Sequence, residues 1–204
     1  MKIDTVLLGS FQVNCYLIST DKSAIVIDPG FNSSYVEYFL LKNADKERMI
    51  LLTHAHFDHI GGALQLKEKT GVKIAIGRID EPSLSDENYN LSTLFNAYIK
   101  PFNADILLDD GEITKIGDIT LKTIHTPGHT KGSVGYLIEN NLFSGDTLFN
   151  LSVGRTDFPG GNTKQLLNSV KKLFALDDNT KVFSGHGATT TIGYEKINNP
   201  YIKI

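Results

Sequence analysis

The chain is 204 residues long, 41% hydrophobic and 21% charged, which suits a soluble globular enzyme with one sizeable core or two close-packed halves. A net charge of −3 and a sequence pI near 6.1 argue against a nucleic-acid surface, which would show a basic stripe. No apolar run approaches the roughly 18 residues needed to span a membrane, and the start, Met1-Lys2-Ile3-Asp4-Thr5-Val6, lacks the long apolar segment of a signal peptide. A cytoplasmic location is therefore expected, and the single cysteine, Cys15, excludes an internal disulfide. Cys15 lies in a strand-like run and is expected to be a buried, unreactive thiol.

In chain order, 2–8, 12–18 and 24–27 are apolar and β-branched and predict three strands, joined by the turn chemistry of Gly9-Ser10 and Thr20-Asp21-Lys22. Asp28-Pro29-Gly30 stops the third. Ser33 or Ser34 is placed to cap a helix whose Tyr35, Val36, Phe39 and Leu40 form an apolar face. Met49-Ile50-Leu51-Leu52 predicts a buried strand, a helix starts at Ala63 and ends at Gly71, and 72–76 predicts another strand. The polar stretch from Arg78 to Ala104 offers short helices at Glu81-Pro82 and at 91–95; long insertions of this kind often border binding sites. Beyond it, 106–108 and 112–116 flank Asp109-Asp110-Gly111, a hairpin signal. A strand over 119–125 follows, then a second hairpin of 134–139 and 142–144 around Asn140-Asn141. Thr163 is placed to cap a helix reaching Ala175, with Leu166, Leu167, Val170, Leu173 and Phe174 on its core face. Lys181-Val182-Phe183-Ser184 is a last short strand. Each half of the chain runs through strands, a polar loop and a helix, which suggests two similar lobes with their polar loops meeting between them.

One stretch concentrates the chemistry. Thr53-His54-Ala55-His56-Phe57-Asp58-His59-Ile60-Gly61-Gly62 places three histidines and a carboxylate within six positions, between a buried strand and a helix. Neutral imidazoles suit zinc, iron, copper or nickel, and a carboxylate can share the site. His54 and His56 can point to one side of an extended loop, because side chains repeat every two residues there. Asp58 and His59 are adjacent and cannot both continue that alternation, so they serve a second position: either a second metal or the surroundings of the first.

The same theme recurs downstream. A strand ends, a glycine lets the backbone turn tightly, and a ligand-type residue appears: His129 after Pro127-Gly128, Asp146 after Gly145, His186 after Gly185. Of the six histidines only His125 falls outside such a position, and it is read as structural.

This set, the His-rich segment followed in order by His129, Asp146 and His186, resembles the metallo-β-lactamase superfamily over almost the whole chain. The resemblance implies an α/β fold, an αβ/βα four-layer sandwich with two mixed sheets inside and helices outside, as a single domain over 1–204 with the site at one edge of the sheets. It implies His54, His56 and His129 at one metal, Asp58, His59 and His186 at the other, and Asp146 bridging. The cofactor expected is thus two divalent metal ions, zinc foremost, with iron or manganese as alternatives. Ser144-Gly145-Asp146-Thr147-Leu148-Phe149, the tract 154–161 and the ending 185–195 are similar to the short bacterial hydrolases of the glyoxalase-II-like branch.

The reaction so implied is hydrolysis of a thioester, such as S-D-lactoylglutathione or a related acyl-thiol. Bridged metals can share a water, lower its pKa towards neutrality and polarise the carbonyl, with Asp58 orienting the resulting hydroxide. A mono-iron persulfide dioxygenase, or a lactonase or other ester hydrolase, would retain the same motif. Arg155 is a candidate for holding a substrate carboxylate with two parallel hydrogen bonds, its alternative being a pair with Asp157. Lys131, two residues from His129, is the other basic candidate. Two departures bear on glutathione: only 18 residues follow His186, too few for the C-terminal helical domain of classical glyoxalase II, and Lys131 stands where relatives often carry proline. The partner expected is a small-molecule thioester, with neither nucleic acid nor membrane involved.

Overall fold

The structure is a computed structural model and describes residues 1–202. Its first sheet takes six strands in sequence order: β1 (Lys2–Leu8), β2 (Val13–Ser19), β3 (Ser23–Ile27), β4 (Glu47–Leu52), β5 (Lys73–Gly77) and β6 (Ile106–Leu108). The first three pair antiparallel; β3 to β6 pair parallel. Parallel neighbours need crossovers, and α1 (Ser34–Lys42) joins β3 to β4. The turn α2 (Phe57–Ile60) and helix α3 (Ala63–Thr70) join β4 to β5.

The second sheet is built from β7 (Ile113–Ile116), β8 (Ile119–His125), β9 (Val134–Ile138) and β10 (Asn141–Gly145). A small hairpin, β11 (Leu148–Phe149) and β12 (Ser152–Val153), then leads to α4 (Thr163–Leu173). The chain returns through β13 (Lys181–Ser184) and β14 (Thr190–Thr191), and α5 (Ile192–Asn198) follows. The sheet order is β14-β13-β10-β9-β8-β7, with β10 and β13 parallel across α4.

The alternation of side chains along the strands divides the core into layers. On β4, Ile50 and Leu52 face outward onto Val36 and Leu40 of α1 and Leu66 of α3. Met49 and Leu51 face inward, onto Leu121, Tyr136 and Phe143 of the second sheet. Beyond that sheet, Leu142 and Val182 pack on Val170 and Leu173 of α4 and Ile192 of α5. The order is therefore helices, sheet, sheet, helices, the expected four-layer sandwich. Each fully buried aliphatic of this kind contributes roughly 1.5–3 kcal/mol. Cys15 is fully buried, and burial pushes its thiol pKa well up.

Several local expectations are corrected. The first predicted hairpin does not form: β6 pairs with β5, β7 pairs with β8, and Asp109-Asp110-Gly111 is the crossover between the two sheets. The turn residues are used in other ways. Asp109 takes two hydrogen bonds from Arg78, Asp110 accepts from the His125 N–H, and Gly111 turns at φ +79°. The second hairpin forms one residue earlier than expected, with Ile138 opposite Asn141 and the turn at Glu139-Asn140. Asn162, not Thr163, caps α4, its side-chain oxygen accepting from the Gln165 N–H at 3.0 Å; its extended backbone leaves Thr163 as the first helical residue. That helix ends at Leu173 with Phe174 as its cap, short of Ala175. Segment 91–95 is a series of turns, because Leu91 (φ +67°) and Asn96 (φ +50°) are left-handed and cannot propagate a helix. Among the described residues no helix is long and apolar enough to cross a membrane.

Candidate metal centre

Four strands end at one edge of the sandwich, and each delivers donors there. β4 runs directly into Thr53-His54-Ala55-His56, where the extended backbone sends both rings the same way: His54 Nε2 and His56 Nδ1 stand 3.1 Å apart. Asp58 and His59 lie on the single turn α2, where successive side chains diverge, so they face a neighbouring position. His129 follows β8, Asp146 follows Gly145 at the end of β10, and His186 follows β13.

The seven residues form three overlapping clusters of convergent donor atoms: His54, His56 and His129; His54, His59 and Asp146; Asp58, His59 and His186. His129 Nε2 is 2.9 Å from His56 Nδ1. His186 Nε2 is 3.4 Å from Asp58 Oδ2. Asp146 stands between the groups, Oδ1 at 3.5 Å from His59 Nε2 and Oδ2 at 3.5 Å from His129 Nε2. Donors about 2.1 Å from a tetrahedral ion stand roughly 3.4 Å from one another, so these spacings are those of donors gathered round a cation.

The hydrogen bonds behind the rings decide which nitrogen is free. His59 Nδ1 donates to Asp28 Oδ2 at 2.9 Å, His129 Nδ1 to the Arg155 carbonyl at 2.8 Å and His186 Nδ1 to the Phe11 carbonyl at 3.1 Å. Each bond leaves Nε2 with its lone pair towards the centre. The consequence is visible as unmet demand: His59 Nε2 and Asp146 Oδ1 are buried with no hydrogen-bond partner. Lone pairs facing one another in a buried site require a cation between them. The donor set, imidazole and carboxylate, fits a first-row divalent metal.

Electrostatics separates the two groups. Burial, reinforced by the neighbouring histidines, holds His54 well below the ordinary imidazole pKa. His56 is likewise held down by burial and His129, against an opposing pull from Asp58. Burial also opposes charge on His59, but Asp146, Asp58 and Asp28 outweigh it and push its pKa up to about 10. Burial works to raise Asp58, yet His59 and His186 prevail and hold its carboxyl well below the usual carboxylate range. The acids around the second group thus favour a proton on its imidazoles, where the first group disfavours one.

The donors floor a cavity of about 400 Å³, within the roughly 300–1,000 Å³ typical of small-molecule sites. Arg155 lines it, but its guanidinium makes two hydrogen bonds to Asp157, at 2.7 and 2.6 Å, and lies 3.9 Å over the Phe158 ring. Lys131 does not line this cavity; it lines an adjoining recess, with Nζ 3.3 Å from the Tyr89 hydroxyl. His125 stands apart from the donors and hydrogen-bonds the Lys131 carbonyl at 3.0 Å.

Residues that support the donors escaped the sequence reading. Asp28, read as a turn residue, receives the Thr53 N–H, the Thr53 hydroxyl and His59 Nδ1. Its backbone is left-handed, φ +50°, a strain of the kind that gathers at functional sites. Asp80, nearly fully buried, accepts from the Ala55 N–H, the Thr130 hydroxyl and the Gly132 N–H at 2.9–3.0 Å and ties the first loop to the His129 loop. Nothing local in Asp28-Pro29-Gly30 or in 78–82 distinguishes these carboxylates from ordinary turn residues. Gly185 has a packing role: a Cβ there would collide with Asp146 Oδ1 and the His59 ring.

The comparisons with known proteins agree with this geometry. The sequence profile described as Metallo-beta-lactamase superfamily matches residues 8–186. The chain is 36% identical over 212 residues to the hydroxyacylglutathione hydrolase GloC of Haemophilus influenzae, covering 99% of this chain and 98% of that protein. The crystal structure of BLEG-1 B3 metallo-beta-lactamase superposes with a TM-score of 0.90 at 39% identity, covering 98% of this chain and 99% of that one. TTHA1623, solved in a di-iron-bound form, gives 0.85 at 33% identity over 98% and 100%. With its seven donors at the ends of β4, β8, β10 and β13, the chain belongs to the metallo-β-lactamase superfamily.

Proposed function

We propose that this protein is a metal-dependent hydrolase that cleaves an acyl thioester, of the S-D-lactoylglutathione kind or a related acyl-thiol. The observation that carries the reading is Asp146, which reaches both donor groups: Oδ1 lies 3.5 Å from His59 Nε2, and Oδ2 lies 3.5 Å from His129 Nε2 and 3.7 Å from His186 Nε2. On this reading His54, His56 and His129 would hold one divalent ion, Asp58, His59 and His186 would hold a second, and Asp146 would serve both. Zinc is the leading identity, with iron or manganese accommodated by the same donors.

When bound, the metals supply Lewis acidity towards the carbonyl and a water acidified towards neutral pH. The protein's own residues do the rest. Asp28 keeps the His59 proton on Nδ1, so that Nε2 stays available. Asp58 stays ionised at any working pH, so it accepts a hydrogen bond from the attacking water and orients it rather than storing a proton. Asp80 holds the two imidazole-bearing loops in register. A thiolate is a good leaving group and needs little acid help, which agrees with the absence of a free general acid among the described cavity residues. The similarity to GloC supports a thioester as the substrate class.

The test is a hydrolysis assay with S-D-lactoylglutathione and simple acyl thioesters, run beside metal analysis of the purified protein. Thioester turnover with two metals per chain supports the reading. One iron per chain with oxygen uptake on a glutathione persulfide would instead establish a dioxygenase, and turnover of lactones or oxygen esters alone would move the reading to another ester hydrolase.

A further inference from the structure

The cavity over the donors has an apolar wall that the chemistry of bond cleavage does not require. Phe11, Phe57, Leu91, Phe95, Phe149 and Phe158 all line it. Four of these rings form one continuous surface. Phe11 meets Phe57 and Phe95 edge-to-face at 5.2 Å, Phe57 stacks on Phe95 at 5.1 Å, and Phe95 meets Phe158 at 6.1 Å. Phe158 lies edge-on to donor His56 at 6.0 Å, so the wall reaches the donors without a polar gap. Among the described residues, Arg155 is the only lysine or arginine that lines the cavity, and it is already matched by Asp157.

The wall is also held in place at a local cost. Leu91 points into the cavity from a left-handed backbone, φ +67°, a conformation that costs about 1–3 kcal/mol for a residue other than glycine. Two hydrogen bonds fix it: Phe57 N–H to the Asn90 carbonyl at 2.8 Å, and Phe95 N–H to the Leu91 carbonyl at 3.1 Å. The first of these ties the 86–97 segment to the metal-bearing loop. Phe95 and Phe11 remain about 40% exposed at the rim, an unfilled apolar surface beside a polar floor.

We infer that this aromatic wall is a binding subsite for the acyl group of the substrate, and that the preferred substrates carry an apolar acyl chain rather than a small hydroxyacyl group. The inference rests on the thioester reading above and narrows it. The acyl side is assigned because its carbonyl carbon is held at the donors until the acid product leaves. The thiol, by contrast, departs and must have a path to solvent. Each methylene that the wall removes from water strengthens binding by about three- to fourfold.

The experiment has two arms on the metal-loaded protein. In the first, kcat/KM is measured for acetyl, butyryl and hexanoyl thioesters of one fixed thiol, and for acetyl thioesters of thiols of increasing apolar length. The inference predicts a rise of about three- to fourfold per acyl methylene, no comparable rise with thiol length, and a slope at least halved in Phe95→Ala and Phe11→Ala. In the second arm, calorimetry measures the binding of acetate, butyrate and hexanoate, with no cleavage involved. The same dependence on chain length is expected, weakened in the same variants. A chain-length slope in binding without turnover of any thioester would overturn the thioester reading and leave the apolar subsite standing. Turnover with flat slopes in both arms, or a slope that follows the thiol instead of the acyl chain, would overturn the subsite and leave the hydrolase reading intact. Slopes unchanged in both variants would overturn the assignment to the wall.

Discussion

The two donor groups are built differently although they lie side by side. His54, His56 and His129 are three imidazoles on extended loops, and burial keeps the first two neutral at ordinary pH. Asp58, His59 and His186 combine a carboxylate with two imidazoles whose pKa values are raised by the acids around them, against the pull of burial. The first group is ready for a metal; the second must give up a proton first. The contrast teaches that equal numbers of ligands do not make equal sites, and that the carboxylates Asp28, Asp58 and Asp146 set the difference.

The largest effect should come from removing the residue the two groups share. Asp146→Ala is expected to reduce activity to background and to loosen metal at both positions in a stepwise metal titration; loss at one position only would show that Asp146 serves a single group. Gly185→Ala should come next, because its Cβ occupies space held by Asp146 and His59. Circular dichroism should show a folded protein with weakened metal binding, whereas an unchanged titration would mean that the loop shifts to make room.

Asp28→Asn is expected to act more strongly on one group than on the other. It removes the carboxylate behind His59 Nδ1, and such changes cost roughly 10–100-fold in metal affinity. The second position should weaken by that amount, while the first, which Asp28 reaches only through the Thr53 hydroxyl behind His54 Nδ1, should weaken less.

The pH dependence should separate the groups without mutation. In the metal-free protein His59 is protonated below about 10, so metal entry there releases a proton and affinity rises about tenfold per pH unit up to that pH. The group of His54 and His56, neutral at pH 7, should show little such dependence between pH 7 and 9. The sign also fixes a stability trend. A folded pKa raised above the unfolded value stabilises fully below the unfolded imidazole value of about 6.5 and is lost as pH rises towards the folded one. The melting temperature of the metal-free protein should therefore fall between pH 7 and 10.

The smallest effect is expected for His125→Ala, which loses one hydrogen bond, to the Lys131 carbonyl. A melting-curve change of about 0.5–1.5 kcal/mol and near-normal turnover are expected; loss comparable to Asp146→Ala would count against the separation of donors from structural histidines.

The donors were readable in the sequence because a strand end followed by glycine and a ligand-type residue is a local pattern, repeated at His129, Asp146 and His186. The alternation of apolar residues likewise marked β4 and the core face of α4. What could not be read depends on long-range pairing. Whether Asp109-Asp110-Gly111 closes a hairpin or crosses between sheets is decided by β5 and β8, not by the turn. Asp28 and Asp80 act through backbone N–H groups dozens of residues away, or across a sheet edge, and carry no local mark. The aromatic wall draws Phe11, Phe57, Phe95 and Phe158 from four separate segments, so only the folded chain assembles it.

The central claim is that one carboxylate joins two unequal metal positions, and a calorimetric zinc titration of the metal-free protein tests it most directly. Run at pH 7 in buffers of different ionisation enthalpy, it should show two ions per chain, the tighter entering with little proton release and the weaker expelling at least one proton, from His59 and in part from His186, with both steps weakened in Asp146→Ala. A single ion per chain, or two ions with equal proton release and no response to Asp146→Ala, would contradict it.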